Sequence, residues 1–322
     1  MDITFKQESF TLNGEFSIAR GSKSLAEVLT VCIEKNGVKG YGECVPYKRY
    51  GETMQSVSDD IMRIKDSDFN YESLQALHIN GAGKNAVECA YLDWWAKASG
   101  MRVWDLLKTK SPSKVLTAYT ISLGSPTKMA QDALEHMDKP LLKLKLGGQG
   151  DIARMQAVRK SRPDVRIIVD ANESWLADDV QCLLQACKVL GVEMVEQPLP
   201  ADNDSVLATF DHCVPIMADE SFITSSDVSS VNSKYDGINI KLDKSGGLYD
   251  AFKSVALAQD AGLKIMIGCM MGSSLAMAPA MLIAPYCDWI DLDGSLWMKT
   301  DRETPLNSNG AVLETPSVNL WG

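Results

Sequence analysis

Histidine is scarce in this sequence of 322 residues, which has only His78, His136 and His212. A reaction that needs a histidine base therefore has few candidates in the chain. The eight cysteines are scattered without C-x-x-C spacing, which argues against a zinc site or a disulfide framework and favours reduced thiols. The sequence also lacks a segment resembling a signal peptide and any apolar run of membrane-spanning length. We therefore expect a cytoplasmic protein with no membrane partner.

The chain has fewer basic than acidic residues, with 32 Lys and Arg against 42 Asp and Glu. Its net charge is therefore −10 and its pI about 4.9. This balance argues against nucleic acid or an anionic membrane as the main partner. Hydrophobic residues make up 45% of the chain, and its length allows one large domain or two. A homo-oligomer is compatible with these properties.

No glycine-rich phosphate loop marks the start of the region that begins near residue 115. An open doubly wound sheet stays an alternative for this region, but it normally carries such a loop. Strand and helix patterns alternate instead, and charged or glycine positions near the strand ends recur every 22 to 27 residues. A repeat of this length is what a closed (β/α) barrel needs, so we predict a barrel domain over residues 115–299. Its eight predicted strands span residues 118–123, 142–146, 167–171, 193–197, 216–220, 237–242, 264–269 and 289–293.

The first 114 residues have a different rhythm, with strands predicted before helices. Strands are predicted at residues 4–12, 26–34 and 38–44, and helices at 53–65, 72–78 and 84–98. Segregated strands and helices are typical of an α+β unit. We predict a capping domain over residues 1–114, joined by the C-terminal tail at about 300–322. Two polar loops are predicted within it, at residues 14–24 and 45–52.

Charged residues follow apolar runs at the C-terminal ends of the predicted barrel strands, where barrel active sites are built. Asp170, Glu196 and Asp219 end three consecutive strands. One such carboxylate often serves only as a cap for the next helix, but three in a row are less easily explained that way. An all-oxygen set suits a hard divalent cation such as Mg²⁺.

The segment that contains the second predicted strand reads Leu-Leu-Lys-Leu-Lys-Leu over residues 141–146. Lys143 and Lys145 share one face, so each is expected to lower the pKa of the other; an exposed edge strand guarded by lysines is the alternative. The second and sixth strands of a barrel lie across its axis, so Lys145 and Lys241 would face each other. Two bases on opposite faces of one carbon can racemise or epimerise it, whereas a single lysine would suit a Schiff-base aldolase.

These segments together resemble the enolase superfamily, in its muconate-lactonizing-enzyme-like branch, over essentially the whole chain. The matching motifs are Lys143-Leu-Lys145, Val169-Asp170-Ala-Asn172, Val195-Glu196-Gln-Pro198, Met217-Ala-Asp219-Glu220-Ser221 and Asn239-Ile-Lys241. The resemblance implies an α/β fold, a modified TIM barrel of the (β/α)7β type with an N-terminal α+β capping domain. It further implies that Asp170, Glu196 and Asp219 bind Mg²⁺, that Lys145 and Lys241 are the catalytic pair, and that Lys143 supports Lys145.

The eighth predicted strand carries Asp291-Leu-Asp293, which resembles the Asp-x-Asp signature of dipeptide epimerases. In that family the two carboxylates hold the ammonium of the substrate's N-terminal residue, and side chains two apart on a strand can embrace one cation. Capping segments around Arg20-Gly21-Ser22 and Gly42 to Glu52 resemble bacterial L-Ala-D/L-Glu epimerases. An acidic side chain on the substrate needs a cation, for which Arg20 is the first choice and Arg49 or Lys48 the alternatives. Further expected pocket contacts are Thr120, Cys269 and Met270.

The resemblance implies a Mg²⁺-dependent 1,1-proton transfer at the α-carbon of the C-terminal residue of a dipeptide. L-Ala-D-Glu and L-Ala-L-Glu, from murein peptide recycling, are the expected compounds. On the same fold, o-succinylbenzoate synthase and muconate cycloisomerase are alternatives, although their substrates have no ammonium for the aspartate pair. An alternative of another class is a non-catalytic, metal-dependent binding protein.

Overall fold

The structure is a computed structural model that describes residues 1–79 and 81–322. Its strands are β1 (Asp2–Ile18), β2 (Gly21–Lys35), β3 (Val38–Cys44), β4 (Val115–Leu116), β5 (Tyr119–Ile121), β6 (Leu141–Lys145), β7 (Arg166–Asp170), β8 (Val192–Glu196), β9 (Ile216–Ala218), β10 (Gly237–Ile240), β11 (Lys264–Gly268), β12 (Trp289–Asp291), β13 (Ser308–Asn309) and β14 (Val312–Leu313). Its α-helices are α1 (Met54–Ile64), α2 (Tyr71–Leu74), α3 (Gly81–Ser99), α4 (Val103–Leu107), α5 (Pro126–Glu135), α6 (Asp151–Ser161), α7 (Val180–Val189), α8 (Val228–Val231), α9 (Leu242–Ser245), α10 (Leu248–Asp260) and α11 (Ser274–Ala280). Short 3-10 turns lie at Lys48–Tyr50, Ser205–Thr209, Ser225–Asp227, Ala284–Tyr286 and Gly294–Trp297.

The N-terminal sheet is antiparallel, in the order β1-β2-β3, and helix α3 packs across β2 and β3. Two glycines of β3 make this close approach possible. A Cβ at Gly40 would collide with the backbone of Trp94, and one at Gly42 with the carbonyl of Ala86. The sheet and the helix therefore share a tight apolar interface that holds the capping strands in place.

The hairpin between β1 and β2 corrects the sequence-based prediction of a polar loop at residues 14–24. Strand β1 continues to Ile18 and β2 begins at Gly21, so only a tight turn separates them. A register shift between Thr11 and Phe16 absorbs Gly14, and Phe16 then pairs with Lys23. Backbone pairing is independent of side-chain polarity, so a hairpin built from polar residues lacks the apolar alternation on which a strand prediction rests.

The barrel consists of eight parallel strands, in the order from β5 to β12, as the sequence repeat predicts. The ring is nearly closed, because the Ala118 N–H donates to the Ile290 carbonyl at 2.8 Å. Strand register places Lys145 opposite Asp170, and Asp170 opposite Glu196. Three predicted site residues therefore lie side by side at the C-terminal rim.

Strand alternation explains how lysines come to lie inside the barrel. Leu141 joins a ring of buried apolar residues near the N-terminal ends of the strands, with Ile168, Met194, Met217 and Met266 among its members. Every residue of β6 is buried and the strand has a neighbour on each side. The alternative of an exposed edge strand is therefore wrong.

The C-terminal segment contacts both parts of the chain. Strand β14 pairs with β13 and with β4. The indole N–H of the buried Trp321 donates to the carbonyl of Cys89 in α3 at 3.0 Å, and Arg102 donates to the Pro316 carbonyl at 2.8 Å. Within the described part of the chain, no helix is long and apolar enough to cross a membrane.

Candidate active site

A cavity of about 240 Å³ lies between the C-terminal rim of the barrel and the β1–β2 hairpin. Ten of the twelve residues predicted for the site line it: Arg20, Thr120, Lys143, Lys145, Asp219, Lys241, Cys269, Met270, Asp291 and Asp293. The other two, Asp170 and Glu196, are fully buried beside them. Residues more than 270 positions apart in the chain thus converge on one cavity, although each had been predicted from its own segment.

The three predicted metal ligands are held by backbone and amide contacts. Asp170 Oδ1 accepts the N–H of Asn172 at 2.9 Å, and Glu196 Oε1 accepts from Asn239 Nδ2 at 2.7 Å. The N–H of Asp219 donates to Gln197 Oε1 at 2.9 Å. These bonds fix the orientation of each strand end, so the carboxylates are preorganised.

The two predicted catalytic lysines each contact a different carboxylate. Lys145 Nζ lies 2.6 Å from Asp170 Oδ2, and Lys241 Nζ lies 2.7 Å from Asp219 Oδ2. Burial favours the neutral form of Lys241, but the charges of Asp219 and Glu196 outweigh it and hold the pKa well above its ordinary value. Burial also opposes the charge of Asp219, but Lys241 and Lys244 hold the pKa of this carboxyl well below its usual range.

Lys143 lies deeper than Lys145 and is paired with three carboxylates. Its Nζ is 2.6 Å from Asp291 Oδ2, 2.6 Å from Glu196 Oε2 and 3.4 Å from Asp170 Oδ2. Burial would lower the pKa of the Lys143 ammonium, but these carboxylates raise it well above the ordinary value. The carboxylates therefore outweigh any lowering of this pKa by the neighbouring lysine, and the net shift is opposite to the one expected from the lysine pair alone. Its supporting role toward Lys145 stays a prediction.

The donor set fits a hard cation by its chemistry. Three carboxylates project into one buried region. Two buried oxygens beside them, Asn172 Oδ1 and Asn239 Oδ1, accept no hydrogen bond from the part of the chain that the structure describes. In the conformation described over residues 1–79 and 81–322, no three carboxylate, histidine or cysteine side chains converge closely enough to hold a metal. Lysine ammonium groups lie among the carboxylates and balance their charge.

The aspartate pair lies at the eighth strand. Asp293 Oδ2 accepts the N–H of Thr120 at 2.7 Å and the indole N–H of Trp297 at 3.3 Å. Burial and then the charge of Asp291 raise the pKa of Asp293 to about 6. Asp291 Oδ1 is buried and accepts no hydrogen bond from any described residue. The pair thus offers buried acceptor oxygens on the cavity wall. The backbone of Thr120 positions Asp293.

Arg20 is engaged with protein carboxylates. Its guanidinium lies 2.7 Å from Glu220 Oε1 and 3.2 Å from Glu173 Oε2. Arg49 makes a bidentate pair with the same Glu173, at 2.7 and 2.8 Å, and Lys48 is exposed. Arg20 and Arg49 are thus held by Glu173, which links the hairpin tip to the barrel loops.

Three site residues were missed by sequence reasoning. Lys23 lines the cavity from β2, and within residues 1–79 and 81–322 its ammonium makes no salt bridge or hydrogen bond to a side chain or backbone atom. Burial and the charge of Lys145 lower the pKa of Lys23. Tyr50 also lines the cavity, and Lys244 contacts Asp219 from beneath. Lys23 could have been predicted as a cavity residue only from its pairing with Phe16 in the β1–β2 hairpin. The sequence does not reveal this hairpin, because its residues lack apolar alternation.

Family comparisons agree with this architecture. The model described as mandelate racemase / muconate lactonizing enzyme, N-terminal domain, matches residues 1–108. The model described as enolase C-terminal domain-like matches residues 128–314. Two curated relatives align with nearly the whole chain. L-Ala-D/L-Glu epimerase of Escherichia coli (strain K12) is 41% identical over 305 residues, 93% of this chain and 95% of the relative. N-acetyl-D-glutamate racemase of Pseudoalteromonas sp is 38% identical over 300 residues, 92% of this chain and 95% of the relative.

A solved structure superposes on the chain with a TM-score of 0.97, 42% sequence identity and 99% coverage of both chains. It is an enolase family member from Agrobacterium tumefaciens with homology to dipeptide epimerases, with bound sodium, L-Ala-L-Glu and an ordered loop. Other matching structures are dipeptide epimerases complexed with Mg and a dipeptide, at 25 to 28% identity and TM-scores of 0.90 to 0.91.

Proposed function

Because the chain belongs to the enolase superfamily, in the mandelate racemase/muconate lactonizing enzyme family, we propose that it epimerises a dipeptide at the α-carbon of the C-terminal residue. L-Ala-D-Glu and L-Ala-L-Glu are the proposed pair, which would serve murein peptide recycling in the cytoplasm. One observation carries the proposal: a single cavity is lined by Lys145, Lys241 and the Asp291–Asp293 pair. It thus contains two candidate bases and an ammonium site.

The two lysines supply the acid and the base. They lie on the second strand of the barrel and just beyond the sixth, and these strands face each other across the axis. A neutral amine on one side removes the α-proton, and an ammonium on the other side delivers a proton to the opposite face. The configuration of the α-carbon is thereby inverted, and the reverse reaction exchanges the roles of Lys145 and Lys241.

The residues proposed to hold Mg²⁺ are Asp170, Glu196 and Asp219. When bound there, the cation supplies electrostatic stabilisation for the negative charge that develops on the substrate carboxylate as the α-proton leaves. In the described conformation, each of these carboxylates pairs with a lysine: Glu196 with Lys143, Asp170 with Lys145 and Asp219 with Lys241.

Asp291 and Asp293 select for a free ammonium. Asp291 is already paired with Lys143, whereas Asp293 has no lysine or arginine partner among the described residues. A substrate with a cationic N-terminus is therefore favoured, because one without it would leave the buried charge of Asp293 uncompensated. This disfavours o-succinylbenzoate and muconate as substrates. The racemase relative acts, by its name, on an N-acetylated glutamate, which also lacks a free ammonium, so N-acetyl-D-glutamate belongs in the substrate panel.

The acidic side chain of the substrate needs a cation above the lysine pair. Arg20, predicted for this role, is shared between Glu220 and Glu173 in the described conformation. Lys23 lies on the same hairpin and lines the same cavity, with no carboxylate partner among the described residues. We therefore assign the side-chain carboxylate of the substrate to Lys23, with Arg20 closing the hairpin over it.

Deuterium exchange tests the whole proposal. The protein is incubated in D₂O with Mg²⁺ and, separately, L-Ala-D-Glu, L-Ala-L-Glu or N-acetyl-D-glutamate, and the α-proton is followed by NMR. Exchange with inversion for both dipeptides is expected, at a much higher rate than for the acetylated compound. A folded protein that binds the dipeptides without exchanging their α-proton is a binding protein, and preferential turnover of N-acetyl-D-glutamate would make it an N-acylamino acid racemase.

A further inference from the structure

Lys244 lies beneath the cavity, in the short helix α9 that follows β10 and Lys241. Its side chain is completely buried, and it does not belong to the cavity lining. The helix ends at Ser245 and is capped by Gly246, whose φ of 76° is in the left-handed region. A side chain at the next residue, Gly247, would collide with Glu88 of α3. The backbone around Lys244 is therefore fixed between the barrel and the capping helix.

The ammonium of Lys244 makes three hydrogen bonds. It donates to Asp219 Oδ1 at 2.6 Å, to the Asp219 carbonyl at 2.7 Å and to the Asn239 carbonyl at 3.0 Å. The ring of Phe222 covers it, with the ring centroid 5.6 Å from Nζ. All three donor positions of the ammonium are thus occupied by acceptors from the ends of β9 and β10.

The two oxygens of Asp219 are divided between two lysines. Lys241 contacts Oδ2 from the cavity side, and Lys244 contacts Oδ1 from the buried side. Because Lys244 also bonds the Asp219 carbonyl, it fixes both the backbone and the side-chain torsions of this residue. Of the two lysines, Lys241 lines the cavity, so Oδ2 is the oxygen of Asp219 that contacts a cavity residue.

We propose that Lys244 is a positioning residue that orients Asp219 as a metal ligand by clamping its Oδ1 and its carbonyl oxygen. The inference rests on the proposed metal site and adds to it a residue that touches neither substrate nor cation. Simple electrostatics predicts the opposite effect, because removing a nearby positive charge favours the binding of a cation. Weaker metal binding without Lys244 could therefore come only from the loss of orientation.

Mn²⁺ binding measured by calorimetry, without substrate, tests this inference in a readout independent of turnover. The variants are Lys244→Met, which keeps the length of the chain, and Lys97→Met as a matched control. Lys97 also pairs with a fully buried carboxylate, Asp93, at 2.6 Å, but it lies on α3 in the capping part. Lys244→Gln replaces Lys244→Met if the latter does not fold, as judged by circular dichroism and thermal unfolding.

We expect Lys244→Met to weaken Mn²⁺ binding by about 10- to 100-fold, the range for residues that orient metal ligands. The Mg²⁺ concentration for half-maximal epimerisation should rise by a similar factor, while the rate at saturating Mg²⁺ recovers toward that of the wild type. Lys97→Met should bind Mn²⁺ like the wild type. If the wild type is active and the folded Lys244→Met variant binds Mn²⁺ as tightly or more tightly, the role of Lys244 is overturned while the proposed function stands. A wild-type protein that binds no Mn²⁺ would overturn the proposed metal site and the inference with it.

Discussion

The ammonium nitrogen of Lys143 lies 2.6 Å from Oδ2 of Asp291, so one member of the aspartate pair already has a cation partner. Asp293 has no lysine or arginine within salt-bridge distance among residues 1–79 and 81–322. Its oxygen accepts instead from the backbone of Thr120 and from Trp297. The two aspartates are therefore not equivalent: Asp293 is the better candidate for the substrate ammonium, and Asp291 links it to the buried charge network.

Lys143→Met tests how that network is balanced. Removing one partner of a buried ion pair leaves uncompensated charge, which typically costs about 3 to 5 kcal/mol. We expect the free energy of unfolding, measured by urea denaturation without Mg²⁺, to fall by about 3 kcal/mol. Saturating Mg²⁺ should reduce the deficit, because the cation neutralises Glu196 and Asp170 in the folded state.

The control for this measurement is Lys160→Met, at an exposed position of α6, which should change stability by less than about 0.5 kcal/mol. A deficit of the same size with and without Mg²⁺ would show that Lys143 and the cation do not act on the same carboxylates.

The raised pKa of Asp293 predicts a pH limit for dipeptide binding. Its pKa in the free protein is about 6, mainly because of burial and then because of the charge of Asp291. An acid with a raised pKa is protonated below that value, and neutral Asp293 cannot pair with an ammonium. The dipeptide ammonium itself stays protonated in this range. We expect kcat/KM to decrease tenfold per pH unit below about pH 6.

Asp293→Asn should remove most of this dependence and lower kcat/KM for the dipeptide about 10- to 100-fold at pH 8, as expected for the loss of a charged hydrogen bond. The rate for N-acetyl-D-glutamate, which has no ammonium, should change little. If Asp293→Asn retained the same acidic limb, another group would be responsible, and Glu220, whose pKa burial raises to about 7, is the first alternative.

The two-base assignment predicts different behaviour for exchange and for inversion. Lys145→Ala and Lys241→Ala should each reduce epimerisation by at least about 10³-fold, since general acid–base catalysis contributes in this range. Each variant keeps one base, so each should still exchange the α-proton of one enantiomer with retention of configuration. The two variants should act on opposite enantiomers, as followed by NMR and polarimetry in D₂O.

Lys188→Ala, on the exposed face of α7, controls for general effects of lysine removal. Full turnover by either Lys145→Ala or Lys241→Ala would contradict the assignment. Exchange of the same enantiomer by both variants would show that the two lysines do not face opposite sides of the α-carbon.

The sequence predicts the barrel and its charged rim because both depend on local periodicity. Strand alternation places Lys143 and Lys145 on one face, and the strand–helix repeat brings Asp170 and Glu196 to neighbouring strand ends. Arg20 shows where such reasoning stops: it was predicted in a polar loop but lies in the tight turn of a hairpin, and its contact with Glu220 spans 200 positions. No local sequence pattern predicts that a barrel residue, Glu220, is the counter-ion of Arg20.

Lys244 and Lys23 were missed for the same reason. Lys244 lies one turn beyond a predicted strand, and only the packed structure shows that this turn folds back under Asp219. Lys23 belongs to a segment without apolar alternation, and its direction follows from the register of the hairpin. Both depend on contacts that a single strand or helix does not define.

The assignment of Lys23 to the side-chain carboxylate predicts a loss of selectivity. L-Ala-L-Gln has nearly the shape of L-Ala-L-Glu but lacks the negative charge, so the ratio of kcat/KM for the two dipeptides isolates the contribution of a cation. Lys23→Met should lower this ratio about 10- to 100-fold, the value of one charged hydrogen bond, mainly through KM for L-Ala-L-Glu.

Lys39→Met is the matched control, because Lys39 lies on the adjacent strand β3, is about half exposed and is not among the residues that line the cavity. It should leave the ratio unchanged. Arg20→Met should lower turnover of both dipeptides together, since it removes the hairpin contacts with Glu220 and Glu173. If Arg20→Met instead lowered only L-Ala-L-Glu turnover while Lys23→Met kept the selectivity, Arg20 would exchange its protein carboxylates for that of the substrate. The sequence-based choice of Arg20 would then be correct, and Lys23 would not bind the side-chain carboxylate of the substrate.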